Sequence, residues 1–409
     1  MIGQVFSGYS EYKDSGIDWL GNIPKHWEVK KLKYVAPISD KKLDKKPDDV
    51  TYLGLENIES KTSRLLLDNP IEEVESAVNY FQKGNILFGK LRPYLAKVAY
   101  PDFSGVCTTE LLVLNPNHNL FGKYLSYQML ADGFIDLVNS MTYGTKMPRA
   151  NAEQIQNIEI SFPSFSEQKQ IATFLDRATT EIDQIIEQQK QLITLLEEER
   201  TTVISHTVTK GLDPSVPMKD SGIEWLGEIP KHWEAKRVKY FFVLQRGFDL
   251  PREDMVEGDY PVYGSNGIIG FHNKFTVKAP SITVGRSGSV GEINYIEEDF
   301  WAHNTALYIK HFYKAFPRFV YYLLSILDIK YLSSGSAVGT LNRNYIHDLV
   351  IAIPSYEEQR EIVNYITQET ARIDEAIDNV RSQIEKLEEY RTVLISDAVT
   401  GKIDVRGFS

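Results

Sequence analysis

Apolar residues recur in alternating steps of four and three along two stretches of this chain. Ile171, Leu175, Ala178, Ile182, Ile185, Gln189, Leu192 and Leu196 mark the first; Ile373, Ile377, Val380, Ile384, Leu387 and Leu394 mark the second. That spacing lays one stripe along one side of an α-helix, the seam of a coiled coil. Neither stretch contains Gly or Pro, each follows a Pro (Pro163, Pro354), and each ends at a Gly (Gly211, Gly401). Those are start and stop signals for helices. Ser166 or a neighbouring polar residue is the candidate cap of the first helix, with Glu167 and Glu357 in the two first turns. At a rise of 1.5 Å per residue, residues 166–206 make a rod of roughly 60 Å. An amphipathic rod needs a partner in water, and the simplest partner is its own copy, paired parallel or antiparallel.

Between these stretches the pattern changes. Residues 35–160 and 241–350 carry short apolar runs broken by Gly, Pro and Asn, such as NILFGKLRPYLAKVAY, TELLVLNP, YPVYGSNGIIGF, SITVGRSGSVGEINYI and TALYIK. Such runs predict short strands joined by turns. Residues 123–140 and 317–328 have helical spacing instead. Each region is therefore a mixed α and β head.

The chain also repeats itself. Residues 13–34 read KDSGIDWLGNIPKHWEVKKLKY and residues 219–240 read KDSGIEWLGEIPKHWEAKRVKY, a shift of 206 positions. Residues 160–211 align without gaps on 351–402 at a shift of 191, placing Pro163 on Pro354. A period of about half the chain is far longer than the roughly 20–50 residues of a solenoid repeat, so a whole domain is duplicated. The two shifts differ, so the second head is shorter, and the heads barely resemble each other. The expected divisions are a first head over 1–160, a first helix over 161–211, a second head over 212–350, and a second helix with its tail over 351–409.

Bulk composition narrows the class. The 409 residues are 42% hydrophobic with a net charge of −11, an ordinary globular chain of more than one domain. Cys107 is the only cysteine, which excludes an intramolecular disulfide and a cysteine zinc cluster. No apolar run approaches the ~20 residues of a membrane span, and a cytoplasmic location is expected. The acidity argues against a nucleic-acid binder, yet much of it sits on the helices. Residues 166–206 hold eight acids and four bases, while 241–350 hold eleven acids and ten bases. Neither head is basic, so tight DNA binding would need a partner that supplies positive charge.

Catalytic signatures are missing: there is no Walker A, no HExxH, no GxSxG, and NPNHN at 115–119 is not an Asn-Pro-Pro-aromatic methyltransferase pocket. Gly285-Arg286-Ser287-Gly288-Ser289-Val290-Gly291 is either a tight turn or a phosphate cradle. Lys90, Arg92 and Tyr94 follow a predicted strand, a composition suited to phosphate and base-edge contact or to an ordinary surface loop. Tyr143–Arg149, with Lys146, closes the first head, and 336–343, with Asn342 and Arg343, closes the second in the same place. Trp19, Trp27, Trp225 and Trp233 in the duplicated block are read as core anchors rather than stacking platforms. Lys30, Lys31, Lys33, Lys236, Arg237 and Lys239 add phosphate affinity or are simply solvated.

Taken together, the SGI-(D/E)-WLG-x-IP-x-HWE block at 15–28 and 221–234, the P-S-(F/Y)-x-EQ helix start at 163–168 and 354–359, and the GKLRPYL run at 89–95 resemble the specificity subunits of type I restriction-modification systems over essentially the whole chain. The resemblance implies an α+β fold. Two mixed target recognition domains would be separated and joined by two long helices in an antiparallel coiled coil, related by a pseudo-two-fold repeat. It implies a non-catalytic chain in which each domain reads one half of a bipartite, asymmetric site in double-stranded DNA. The helices would set the gap and dock two modification subunits, which bind S-adenosylmethionine and methylate adenine. Restriction subunits would add ATP- and Mg2+-dependent translocation and cleavage; the chain itself would hold no cofactor or metal. Lys90, Arg92, Tyr94, Lys146 and Arg149 are the expected DNA contacts of the first head, and Asn266, Arg286, Ser287, Asn342 and Arg343 those of the second. Ile171, Leu175, Ile182, Leu192, Leu196, Ile373, Ile377, Val380, Ile384 and Leu387 are the expected helix and partner interface. The competing readings are a coiled-coil scaffold without a DNA role and an enzyme, such as a nuclease, with an unrecognised site.

Overall fold

The structure is a computed structural model that describes residues 6–67, 74–333 and 339–408. It divides into two compact units: 1–190 with 381–409, and 191–380. The predicted helices are Phe165–Lys210 and Tyr356–Thr400, and each runs from one unit into the other. Ser164 and Ser355, not Ser166, sit at the helix starts: their hydroxyls accept from Glu167 N and Glu358 N at 3.3 and 3.2 Å. This hydroxyl-to-amide bond satisfies a donor that the first turn leaves unpaired. Gly211 and Gly401 end the helices at φ +81° and +77°, the left-handed region that lets a chain turn off a helix.

In the first unit, Tyr12–Asp14 pairs antiparallel with Asn22–Pro24, and Glu28–Lys31 with Glu159–Phe162. The head holds a four-stranded sheet (Lys42–Leu43, Val78–Phe81, Gly105–Thr108, Tyr52–Leu53) and a three-stranded one (Leu111–Leu114, Ile86–Gly89, Val98–Ala99). Along Ile86–Gly89 the period of two divides the side chains between two cores. Ile86 and Phe88 join Trp27, Tyr124, Phe134, Ile171 and Leu175, while Leu87 joins Phe81, Cys107 and Leu111. The helical run 123–140 becomes two helices, Gly122–Leu130 and Asp132–Ser140, separated by the extended Ala131.

Each duplicated block meets a helix start in the same way. Trp27 Nε1 donates to Glu167 Oε1 at 3.1 Å and His26 Nε2 lies 3.0 Å from Glu167 Oε2. In the second unit Trp233 Nε1 donates to Glu358 Oε1 at 2.8 Å and His232 Nε2 lies 3.2 Å from Glu358 Oε2. The adjacent glutamine fastens the helix to the residues before a short helix of the head, Gly122–Leu130 or Pro317–Ser325, as well as to the proline before its own start. Gln168 Oε1 accepts from Phe121 N at 2.7 Å while Nε2 donates to the Asn119 and Pro163 carbonyls. Gln359 Oε1 accepts from Phe316 N at 2.7 Å while Nε2 donates to the Lys314 and Pro354 carbonyls. Gly401 lies where a Cβ would run into Pro24 and Trp27. Within the first unit, then, the end of one helix lies beside the start of the other. Further along, Arg391 meets Asp183 at 2.8 Å, so the helices run antiparallel.

Part of the seam differs from its predicted register. Ile171, Leu175, Ala178 and Ile182 are buried, but Ile186 rather than the half-buried Ile185 continues the stripe. Half-buried Ile193 then takes the place read for Leu192, which is 41% exposed. Gln189 and Leu196, also read for the seam, are half-buried, so the stripe returns to its predicted positions and the departures at 185 and 192 are local. The second helix keeps its register: Ile373, Ile377 and Val380 are buried and Ile384 and Leu387 half-buried.

The second unit has a four-stranded sheet (Phe242–Arg246, Ala306–Phe312, Ser281–Gly285, Ile293–Ile296) and a three-stranded one (Gly267–His272, Tyr260–Gly264, Trp301–Ala302). Helix Pro317–Ser325 lies within the expected 317–328. Trp27 and Trp233 are fully buried, as the anchor reading requires, and Trp19 is half-buried with Nε1 donating to Glu159 O at 3.1 Å. Trp225 departs from that reading. It is 45% exposed.

Candidate functional site

In the first head the candidate residues lie on two runs that the backbone stitches together. Lys90 N donates to Glu110 O at 3.0 Å, Ala150 N to Lys90 O at 2.8 Å, and Arg92 N to Pro148 O at 2.7 Å. Leu91 and Tyr143 both bridge to Arg149. The run 89–96 and the loop 143–149 therefore form one surface, bringing together Lys90, Arg92, Tyr94, Lys146 and Arg149. Arg92 holds φ +51° and Ala96 φ +46°, left-handed backbone that costs energy for a residue with a Cβ and clusters at functional sites. Arg92, Tyr94 and Lys146 are exposed, whereas the Arg149 guanidinium grips Glu110 through two bonds of 3.0 and 3.2 Å.

In the second head Arg286 N donates to Thr305 O at 2.8 Å and Leu341 N to Arg286 O at 2.8 Å, while Ser287 N also reaches Thr305 O at 3.2 Å. The turn holding Asn266 packs against this loop, since a Cβ on Gly285 would lie 2.6 Å from Ser265 O. Gly285 N donates to Glu292 O and Gly291 N to Gly285 O, at 2.7 and 2.9 Å, so the Gly-rich segment is a closed turn between two strands. Asn342 accepts from Asn344 N at 3.0 Å as the cap of Arg343–His347, and Arg343 is exposed in that helix. Of the closing loop 336–343, residues 336–338 lie outside the described residues.

One correspondence was not legible in the sequence. Gly89 pairs with Leu111 and Gly285 with Ala306. The residue after each glycine is a cation, Lys90 or Arg286. Each donates its N–H to the residue just before the strand opposite, Glu110 or Thr305, and accepts at its carbonyl from the residue before a helix cap, Asn151 or Asn342. The only trace of this in sequence is ILFGK against ITVGR, too short to stand out. Sequence reasoning also passed over an exposed apolar edge in the second head: Ile268, Ile269 and Phe271 are 50%, 48% and 53% exposed.

The cations of the duplicated blocks are held by nearby partners, as Arg149 is in the first head. Lys30 meets Glu28 at 2.9 Å, Lys33 meets Asn157 at 2.8 Å, Lys236 pairs with Glu234, and Arg237 and Lys239 share Asp348. Burial pushes the Cys107 thiol up to about 12, which keeps it protonated and unreactive. Among the described residues no group of three or more His, Cys, Asp or Glu could hold a metal ion, and no helix is long and apolar enough to cross a membrane.

The model of the type I restriction modification DNA specificity domain matches twice, at residues 24–195 and 230–386. The chain belongs to this family. Each of the two specificity-domain matches spans one head and the first part of the long helix that follows it. Among curated relatives, the putative type I restriction enzyme MjaX specificity subunit of Methanocaldococcus jannaschii is 25% identical over 95% of this chain and 96% of its own length. The MjaIX specificity subunit of the same organism is 24% identical over 98% of both. A solved chain from work on complex assembly and conformational transition of the type I R-M system superposes with a TM-score of 0.73 at 15% identity, over 92% of this chain and 98% of its own. The HsdS subunit of Thermoanaerobacter tengcongensis gives 0.57 at 16% identity, over 93% and 98%. These likenesses establish the specificity-subunit fold: two mixed heads joined by two long helices.

Proposed function

We propose that this chain is the non-catalytic DNA-reading subunit of a type I restriction-modification complex, each head recognising one half of a bipartite, asymmetric site. The observation that carries the reading is the correspondence between the backbone settings of Lys90 and Arg286. The duplicated frame presents a cation on the same backbone scaffold in both heads, while the residues around it differ: Arg92, Tyr94, Lys146 and Arg149 in one, Asn266, Ser287, Asn342 and Arg343 in the other. Two equivalent scaffolds with unlike surfaces suit two unlike half-sites. Phosphate contacts then fix the register and side chains at base edges give the sequence. Asn342 serves first as a helix cap, and Arg149 reaches DNA only by sharing or leaving Glu110.

A helix of 46 residues spans roughly 69 Å at 1.5 Å per residue, ample for half-sites about 34–36 Å apart. The helices set the gap through their buried seam, and the exposed apolar residues that flank it, among them Leu192 and Leu195, are where two modification subunits dock. Those subunits supply S-adenosylmethionine chemistry and much of the positive charge the heads lack. Restriction subunits supply ATP- and Mg2+-dependent cleavage. The test is to co-express this chain with a modification subunit encoded beside it in a methylation-free host and map N6-methyladenine. One bipartite motif with a fixed gap is expected; a soluble complex that leaves the DNA unmethylated would favour a coiled-coil scaffold instead.

A further inference from the structure

Arg391 occupies the seam place between Leu387 and Leu394, so a charge stands where a coiled coil carries an apolar residue. Its side chain is 6% exposed. The guanidinium donates from Nε to Asp183 Oδ1 at 2.8 Å and from Nη2 to Oδ2 at 3.4 Å. It also donates from Nη1 to Lys61 O at 2.8 Å and from Nη2 to Thr62 O at 3.3 Å. A planar fork of five donors can satisfy a carboxylate and two carbonyls at once; an ammonium cannot span the same set.

Those two carbonyls belong to a tight turn of the first head. Lys61 and Ser63 hold φ +66° and +64° there, a conformation that persists only where the surroundings hold it. From this turn Lys61 N donates to Ala96 O at 3.2 Å. Beside it, Lys97 Nζ donates to the Leu55 and Ile58 carbonyls at 2.9 and 2.7 Å. A continuous path of bonds thus runs from the helix pair, through Arg391 and the strained turn, to the run that carries Lys90, Arg92 and Tyr94.

The duplication supplies an internal control. Asp374 and Arg200 stand at the positions equivalent to Asp183 and Arg391, at the shift of 191. Arg200 Nε donates to Asp374 Oδ1 at 3.0 Å, so the ion pair recurs. The Arg200 side chain, however, is 42% exposed. The ion pair belongs to the frame; the grip on a head is what Arg391 adds.

We propose that Arg391 is a positioning residue that holds the reading run of the first head against the helix pair, so that recognition of one half-site, and only one, depends on it. This rests on the reading of the heads as DNA readers. The test uses the full chain in complex with its modification subunits and compares Arg391→Met with Arg200→Met. Methylation rates are measured on the cognate site and on sites with one base pair changed in either half. Arg391→Met is expected to cut discrimination in one half-site tenfold or more and leave the other within twofold, Arg200→Met to leave both within twofold, and Arg391→Lys to recover part of the loss. Hydrogen exchange of residues 59–64 and 92–96 is read in parallel, with at least tenfold faster exchange expected in Arg391→Met and not in Arg200→Met. Matching behaviour of the two Met variants, or equal loss in both half-sites, overturns the proposal. If Arg391→Met does not assemble, Arg391→Lys carries the same comparison. If the wild-type complex methylates nothing, the DNA reading fails, while the exchange measurement still decides whether Arg391 holds the run.

Discussion

The two units are one frame filled twice. Where they agree, the shared contacts are polar and directional: Trp27 and Trp233 on Glu167 and Glu358, Gln168 and Gln359 on the starts of the short helices of the heads, Lys90 and Arg286 on the residues that lead into the strands opposite. Where they part, the same position meets different contents. Trp19 packs edge-on to Phe134 at 5.9 Å while Trp225 is 45% exposed. Gln156 serves the first head where His347 serves the second. A duplicated chain keeps the bonds that orient its helices, because each aims one group at one partner and leaving it unmade in the interior costs about 1–3 kcal/mol. It lets head-facing positions drift, because apolar packing tolerates many solutions of similar volume.

The largest effect should come from breaking what the units share. Trp27→Ala and Trp233→Ala each remove a fully buried indole and should cost about 3–5 kcal/mol. Trp225→Ala should stay within about 0.5 kcal/mol, as for most surface changes, with Trp19→Ala between. Chemical denaturation of the four variants reads all of this, and a Trp225→Ala as costly as Trp233→Ala would mean that the exposed indole is covered by something.

Next in size are the equivalent cations. Lys90→Ala and Arg286→Ala should each slow target methylation about tenfold, the ~1–3 kcal/mol of one good contact. If the contact is to phosphate, the slope of log affinity against log salt should also fall by about 1. Stability should not change, since each backbone keeps its bonds. A loss confined to one of the two would break the equivalence of the heads.

The long helices, their glycine stops and the mixed heads were legible because periodicity and turn chemistry are local. The exposed Trp225 was not, because whether an indole is buried depends on what a diverged head brings to it. Nor was the Lys90–Arg286 equivalence, since the strand pairs that establish it join residues far apart in sequence. Between the adjacent apolar residues 192 and 193 the period alone does not choose, and Ile193 is the half-buried one. Asn342, expected at the DNA because its loop closes the second head as 143–149 closes the first, has its side-chain oxygen capping a helix as Asn151 does. Asn151→Ala and Asn342→Ala should each cost about 1 kcal/mol. A change in half-site discrimination by Asn342→Ala beyond that shared loss would show that its amide also reads a base.

The smallest effect is the most selective between the units. Ile38 N donates to Gln156 Oε1 at 3.2 Å in the first head, and Leu244 N donates to His347 Nε2 at 2.9 Å in the second. An imidazole can accept that bond only while the nitrogen is unprotonated. Burial lowers the pKa of His347 below its ordinary value, the nearby Arg343 and Lys239 lower it further, and Asp348 opposes them. A folded pKa below the unfolded one means that the unfolded chain takes up the proton first as pH falls. The stabilisation is then fully present above about pH 6.5, the unperturbed value of histidine, and is lost as pH falls from there toward the folded pKa. His303, also lowered by burial, acts in the same direction within the second unit. Unfolding of the full chain between pH 7.5 and 5 should therefore show the second unit weakening first, and His347→Gln, which installs the residue type of the first head, should flatten that slope in part. An unchanged slope in His347→Gln would assign the acid sensitivity to His303 and leave the two heads alike at this position.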